Sequence, residues 1–179
     1  MIKEIPDFPK PGIHFLEITP FLLNPEEVND AVSAFCEELR PLLADGPFVI
    51  IGPDARGFIF ASMVAYALHQ PFFMLRKAGK LPNDGTQVVF SAEKEYGASD
   101  FAVNMADLDA LKSSGITRVV VLDDVLATGY TVLNIAQFFT SNGFSVPKVL
   151  DLIEINGLGG RKRIEDGGFP VYSYITHDE

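Results

Sequence analysis

Asp123 and Asp124 close the apolar run Val119-Val120-Val121-Leu122, and Val125-Leu126-Ala127-Thr128-Gly129-Tyr130-Thr131 follows them directly. Two adjacent carboxylates accept hydrogen bonds and donate none, which suits the hydroxyls of a sugar or the waters of a hydrated metal ion. The small and hydroxylated residues that follow suit a different group. Backbone N–H groups from Ala127 to Thr131, set at the start of a helix, favour a phosphate through unpaired donors and the helix dipole, and Thr128 and Thr131 add hydroxyls. The pattern outlines a sugar-phosphate site. Positioning it takes a scaffold: the four apolar residues before Asp123 suit a parallel strand buried on both faces, and open α/β sheets bind ligands beyond the carboxyl ends of such strands. A plainer reading, in which Asp123 and Asp124 only cap a turn, explains the acids but leaves Ala127-Thr128-Gly129-x-Thr131 without a purpose.

Two other sites end a hydrophobic strand in acids. The magnesium strand of a P-loop nucleotidase requires a Gly-x-x-x-x-Gly-Lys-Ser/Thr loop, and this chain has none. A receiver-type acidic cluster needs its acids near the first strand, whereas this pair lies two-thirds of the way along.

The loop resembles the phosphoribosyl-pyrophosphate (PRPP) motif of the type I phosphoribosyltransferases. Other segments narrow the likeness to the adenine phosphoribosyltransferases: Pro6-Asp7-Phe8-Pro9-Lys10-Pro11-Gly12-Ile13-His14-Phe15, Gly52-Pro53-Asp54-Ala55-Arg56-Gly57-Phe58, Leu75-Arg76-Lys77-Ala78-Gly79-Lys80-Leu81-Pro82 and Glu95-Tyr96-Gly97. They stand in the family's order between residue 6 and about residue 155.

The elements fit that likeness. Asn24-Pro25-Glu26-Glu27 reads as a cap, a proline at the first helical position and acids in the first turn, with Val28, Ala31, Val32, Phe35, Leu39 and Leu42 following at helical spacing. Strands are expected at 48–52, 72–75, 119–122 and 149–155, and helices over 57–69 and from Val132 to Gly143. Alternation of this kind implies an α/β fold, a mostly parallel sheet with helices on both faces, in a single domain spanning 1–179. Segments 87–90 and 101–105 pair as an exposed ribbon within a flap at about 82–105, and residues 1–20 and 154–179 form a small hood.

The net charge of −10 over 179 residues argues against a nucleic-acid partner and repels a polyanionic substrate, so local cations must capture it. Arg56, Arg76, Lys77 and Lys80 fall in one short span, with Arg56 and Arg76 at strand ends; solvated surface is the ordinary alternative. No apolar stretch reaches a bilayer-spanning length and no signal-peptide pattern opens the chain, so a cytoplasmic protein is expected. The lone Cys36, beside Val32, Phe35 and Leu39 on one helical face, reads as a buried inert thiol.

The resemblance implies a reaction, a metal and roles. Adenine and PRPP would give AMP and pyrophosphate with Mg2+ held mainly through substrate oxygens and water, Asp123 and Asp124 being the protein oxygens available to it. PRPP would be bound by Ala55, Arg56, Arg76, Lys77, Lys80, Tyr96, Asp123, Asp124, Ala127, Thr128, Gly129, Tyr130 and Thr131. Glu95 on the flap would handle the adenine proton, although Glu93-Lys94-Glu95 alone would pass for solvated surface. Arg56, Asp123 and Asp124 join it as catalytic groups. Phe15, a core residue by default, would stack on adenine against Ile155, with backbone groups of His14 and Leu16 reading the base edge. A strained or cis peptide is implied at Asp54-Ala55, and a homodimer in which Arg76 or Lys77 would reach the neighbour's pyrophosphate. The chain departs from the family at Leu16 and Glu17, where Arg and Asp are usual, and at Tyr130, where Gly is. Tyr130 is expected to keep a conformation open to an L-residue, its ring over the loop or against the hood rather than in solvent. A related transferase for another purine, or a PRPP-sensing regulator on the same fold, remains as the alternative; the only basic run such a regulator could use is Arg161-Lys162-Arg163.

Overall fold

The computed structural model describes residues 2–8, 10–94 and 97–178. In chain order these form β1 (Lys3–Ile5), β2 (Phe15–Glu17), α1 (Thr19–Leu22), α2 (Pro25–Leu39), a 3-10 turn (Arg40–Asp45), β3 (Val49–Pro53), α3 (Gly57–Leu68), β4 (Phe72–Lys77), β5 (Gln87–Lys94), β6 (Gly97–Asn104), α4 (Met105–Ser113), β7 (Arg118–Leu126), α5 (Tyr130–Ser141), β8 (Ser145–Asn156), α6 (Gly160–Asp166) and β9 (Val171–Asp178). The main sheet has the order β5-β6-β4-β3-β7-β8-β9. Strands β4, β3, β7, β8 and β9 are parallel, and the β5–β6 hairpin joins antiparallel through β6.

Period-2 alternation along each strand divides the core into two layers. Ile50, Val120, Leu122, Leu150 and Leu152 pack toward α2 and α3, around Phe35 and Phe60. Val49, Ile51, Val119, Val121 and Val149 pack toward α4 and α5, around Leu108, Ile135 and Phe139. All four residues of the Val119–Leu122 run are fully buried, as a central parallel strand requires. The start of α2 follows its sequence signals: the Asn24 side chain accepts from the N–H groups of Glu26 and Glu27, and Pro25 takes the first turn. Cys36 is buried on the apolar face of this helix, and loss of solvent pushes its thiol pKa up.

Three expectations change. Residues 154–179 are no hood: β8 runs through to Asn156, α6 crosses over, and β9 closes the parallel sheet with pairs from Val149–Val171 to Asn156–Asp178. Val171-Tyr172-Ser173-Tyr174-Ile175 is β-branched and aromatic but only half buried, so it lacks the continuous apolar run of an inner strand. The hood is therefore built from β1 and β2, which pair antiparallel. The ribbon is not exposed along its length either. The two segments do pair, from Gln87–Asn104 to Phe90–Phe101, but Ala92, Phe101 and Val103 are buried and Phe90 stacks on Phe138 of α5 at 3.9 Å. Finally, Met105 opens α4, a helix the sequence reading did not include, whose Leu108 enters the core.

Candidate active site

A cavity of about 560 Å³ opens where β3, β7 and β8 end beneath the hood. The end of β7 supplies its floor. Asp124 is 6% exposed while Asp123 is partly exposed, and the Asp124 N–H donates to Asp123 Oδ1 at 2.9 Å. Helix α3 comes close because it begins with Gly57: a Cβ there would lie 2.5 Å from Pro53 Cδ and 2.9 Å from Asp123 Oδ1. Apolar surroundings, and then the neighbouring Asp124 carboxylate, hold the Asp123 carboxyl well above the usual carboxylate range.

Beside Asp123 in the β7–β8 register lies Asp151, fully buried, with no hydrogen-bond partner for either carboxyl oxygen among the described residues. Burial first, then the charges of Asp123, Asp124 and Glu154, push its pKa well up despite Arg161 nearby. The sequence reading passed over it. An acid flanked on both sides by apolar residues, Val149-Leu150-Asp151-Leu152-Ile153, was the available signal.

Beyond β7 the chain turns at Gly129, with φ +79, and enters α5 at Tyr130. Tyr130 keeps an ordinary backbone, since the only described non-glycine residues with positive φ are Asp7 and His69. The glycine supplies the turn, so the tyrosine carries no strain. Its ring lies neither on the hood nor in open solvent: the Arg163 guanidinium of α6 sits over it at 3.9 Å, and Arg163 Nη1 also donates to the Thr128 carbonyl. The first turn of α5 contains no acid of its own, and Gly129, Thr131 and Val132 at this helix start line the cavity, where free N–H groups favour an anion.

The opposite wall carries the cations. The Asp54–Ala55 peptide is cis. Burial would raise the Asp54 carboxyl, but the Lys77 N–H, Lys80 and Arg76 outweigh it and hold the group below the usual range. Arg76 Nε and Lys80 Nζ each lie 3.5 Å from this carboxylate. Arg56 turns toward the hood instead. Its Nε is 2.6 Å from Asp124 Oδ2, its Nη1 donates to the Leu16 carbonyl, and its guanidinium lies 4.8 Å from the Phe15 ring centroid. Phe8 meets Phe15 edge to face, and His14 Nδ1 and His177 Nε2 both contact Glu4, tying the hood to β9.

Of the residues selected from sequence, His14, Phe15, Ala55, Arg56, Lys77, Asp123, Asp124, Ala127, Thr128, Gly129, Thr131 and Ile155 line this one cavity. Four do not. Leu16 is in the core at 3% exposure, with its carbonyl engaged by Arg56. Arg76 and Lys80 stand behind the wall on Asp54, and Tyr130 turns its ring to Arg163. Glu95 and Tyr96 lie outside the described residues.

Known proteins share this chain's sequence and fold over nearly its whole length. The family model for the phosphoribosyl transferase domain matches residues 22–154. The adenine phosphoribosyltransferase of Desulfitobacterium hafniense is 41% identical over 98% of this chain and 95% of its own. The crystal structure of the adenine phosphoribosyltransferase from Thermoanaerobacter pseudethanolicus is 36% identical, covering 99% of this chain and 96% of that one, with a TM-score of 0.81. The Giardia lamblia enzyme, crystallised with 9-deazaadenine, superposes with a TM-score of 0.83 at 28% identity, covering 100% of this chain and 95% of that one. The chain belongs to the phosphoribosyltransferase family and, by this near-complete match, to its adenine phosphoribosyltransferases.

Proposed function

We propose that this chain transfers the 5-phosphoribosyl group of PRPP to adenine, giving AMP and pyrophosphate in purine salvage. The observation that carries the reading is the end of β7, where acceptors Asp123 and Asp124 are followed by the loop Ala127 to Gly129 and the start of α5 at Tyr130, whose free N–H groups favour an anion, with the acids and the loop lining one cavity. A nitrogen of the base attacks the anomeric carbon as the bond to pyrophosphate breaks and its electron pair leaves with the phosphate oxygen. Positive charge develops on the sugar and negative charge on the leaving group. Asp123 and Asp124 hold the ribose hydroxyls and stabilise the cationic sugar, while Ala127 to Thr131, Tyr130 through its backbone, hold the 5-phosphate. Arg56, Lys77, Arg76 and Lys80, with the Ala55 backbone, receive the pyrophosphate. Ribose hydroxyls binding Asp124 would release Arg56 from that carboxylate and from the face of Phe15, where adenine stacks against Ile155 with His14 at its edge. Glu95 exchanges the imidazole proton of adenine, and Tyr96 contacts PRPP as the flap excludes water that would hydrolyse it.

Magnesium fits the donor set. The ion keeps several waters and takes one or two carboxylates plus phosphate oxygens, and the described residues contain no group of three His, Cys, Asp or Glu that would cage it alone. Held by PRPP oxygens and water, with Asp123 and Asp124 as the protein oxygens at hand, it would neutralise charge on the departing pyrophosphate.

Each member of the basic run has a partner within the chain: Arg161 pairs with Glu154, Lys162 with Asp166, and Arg163 with the Thr128 loop, which does not favour the regulator reading. A homodimer is supported by the exposed apolar side chains Met63, Tyr66 and Met74 on α3 and β4, beside Arg76. No described helix is long and apolar enough to cross a membrane, and a lone buried cysteine suits the cytoplasm. The test is product formation from PRPP with adenine, guanine and hypoxanthine in parallel. Turnover with adenine alone is expected; preference for an oxopurine would overturn the base assignment.

A further inference from the structure

The phosphate loop does not stand alone. It leans on α6, and the two backbones touch at glycines: a Cβ on Gly160 would lie 2.2 Å from the Ala127 carbonyl oxygen, and one on Gly129 would lie 2.7 Å from the Gly160 oxygen. Across this junction reaches Arg163, half buried, its side chain meeting two partners at the loop and no other side-chain partner among the described residues. One is the Thr128 carbonyl, the other the face of Tyr130. In a planar trans peptide the C=O of one residue and the N–H of the next point in opposite directions. Drawing the Thr128 carbonyl toward α6 therefore turns the Gly129 N–H the other way, into the cavity that Gly129 lines.

The second partner has a separate effect. A tyrosine at the first position of α5 has a ring that could swing across the anion site, and the guanidinium laid flat on that ring keeps it on the α6 side. We propose that Arg163 is a positioning residue for the 5-phosphate, a clamp that aims the Gly129 N–H and parks the Tyr130 ring before substrate arrives. This clamp rests on the reading of Ala127 to Thr131 as the 5-phosphate cradle.

AMP and magnesium pyrophosphate separate the outcomes, because only AMP carries a 5-phosphate. In calorimetric titrations, Arg163→Ala is expected to weaken AMP binding about tenfold, or ~1.4 kcal/mol, and to leave pyrophosphate within about twofold. Arg163→Lys keeps the charge but cannot both donate to the carbonyl and lie flat on the ring, so it falls between parent and Ala and stays informative if the Ala variant does not fold. Lys162→Ala, whose side chain pairs only with Asp166 in solvent, serves as the silent control. Tyr130→Leu added to Arg163→Ala should cost far less than Tyr130→Leu alone, as expected for two partners of one contact. A parent protein that does not bind AMP would refute the cradle itself. AMP affinity unchanged by Arg163→Ala, or AMP and pyrophosphate weakened alike, would refute the clamp while leaving the cradle in place.

Discussion

Replacing Gly160 by Ala probes the junction between loop and α6 by geometry alone. Gly160 has no positive φ and begins a helix, so alanine suits its backbone. Space is what it lacks. The added Cβ would lie 2.2 Å from the Ala127 oxygen and 2.9 Å from Leu126 Cδ1; reaching even 3.0 Å from the oxygen requires at least 0.8 Å of movement, the difference between 3.0 and 2.2 Å. Helix α6 resists the shift because Ile164 is fully buried and Arg161 is bonded to Glu154, so the loop carrying Ala127 must give way. Overpacking of this kind costs about 1–3 kcal/mol of stability, a few degrees of Tm for a chain of this size. A displacement near 1 Å at a substrate-positioning group costs up to about 10²-fold in rate. Expected, then, is a fall of about 10- to 100-fold in kcat/KM for PRPP with the KM for adenine little changed. Gly159→Ala is the control. Gly159 has φ +71 and nothing within 4 Å of its Cβ position, so it loses about 1–2 kcal/mol to left-handed strain without touching the loop. If steady-state kinetics and calorimetry showed both variants melting earlier and both keeping parental PRPP kinetics, the cradle would not depend on this contact and the reasoning would fail.

Asp123→Asn and Asp124→Asn keep shape and remove charge, and each should lower turnover by about 10²-fold or more; a double variant with parental turnover and PRPP affinity would dismiss the ribose assignment. Glu95→Gln is expected to lower kcat by about 10²–10⁴-fold with little change in PRPP binding, while Glu93→Gln stays near parental; equal behaviour of the two would make the flap a source of charge rather than of a placed acid. Asp151 has its carboxyl pKa raised by the fold, so the native chain retains a proton that the unfolded chain releases. Its stabilising effect is complete below the unfolded value, near 3.8, and is lost as pH rises from there through the folded value. Asp151→Asn should therefore flatten the decline in Tm as pH rises above the unfolded value, and a parallel decline in both proteins would contradict the burial argument.

What the sequence disclosed was mostly local in the chain. Asp123 to Thr131 is one uninterrupted segment in which strand, acids, turn and helix start succeed each other, so chain order already fixes the geometry. The α2 cap was legible for the same reason. Features made by distant pairs were not: β9 is recognisable as a strand only beside β8, and Arg56 takes the Leu16 carbonyl from 40 residues away. Arg163 meets Thr128 across 35 residues, which is why the partner of the Tyr130 ring could not be named beforehand. Asp151 was hidden differently, since its neighbours made it look like part of an apolar strand and its significance lies in the strand next to it.

A chain of net charge −10 that must take up a polyanion cannot depend on its overall field. The structure shows a local arrangement in its place: Arg56 rests on Asp124, and Arg76 and Lys80 rest on Asp54. Each pairing weakens the pull on a distant anion, yet it also holds a long side chain near where it is used, which reduces the rotamer entropy that binding must still remove. The two pairings differ in what substrate does to them. Asp54 lines the wall on the pyrophosphate side and holds Arg76 and Lys80 beside it, so on the proposed reading these cations are already gathered where the leaving group would sit. On the proposed reading Asp124 holds the ribose, so a sugar displacing Arg56 would also free a charge for the pyrophosphate and a ring face on Phe15 for adenine. Binding PRPP first would thus complete the site for adenine, whereas adenine arriving first would meet an arginine across the surface it needs.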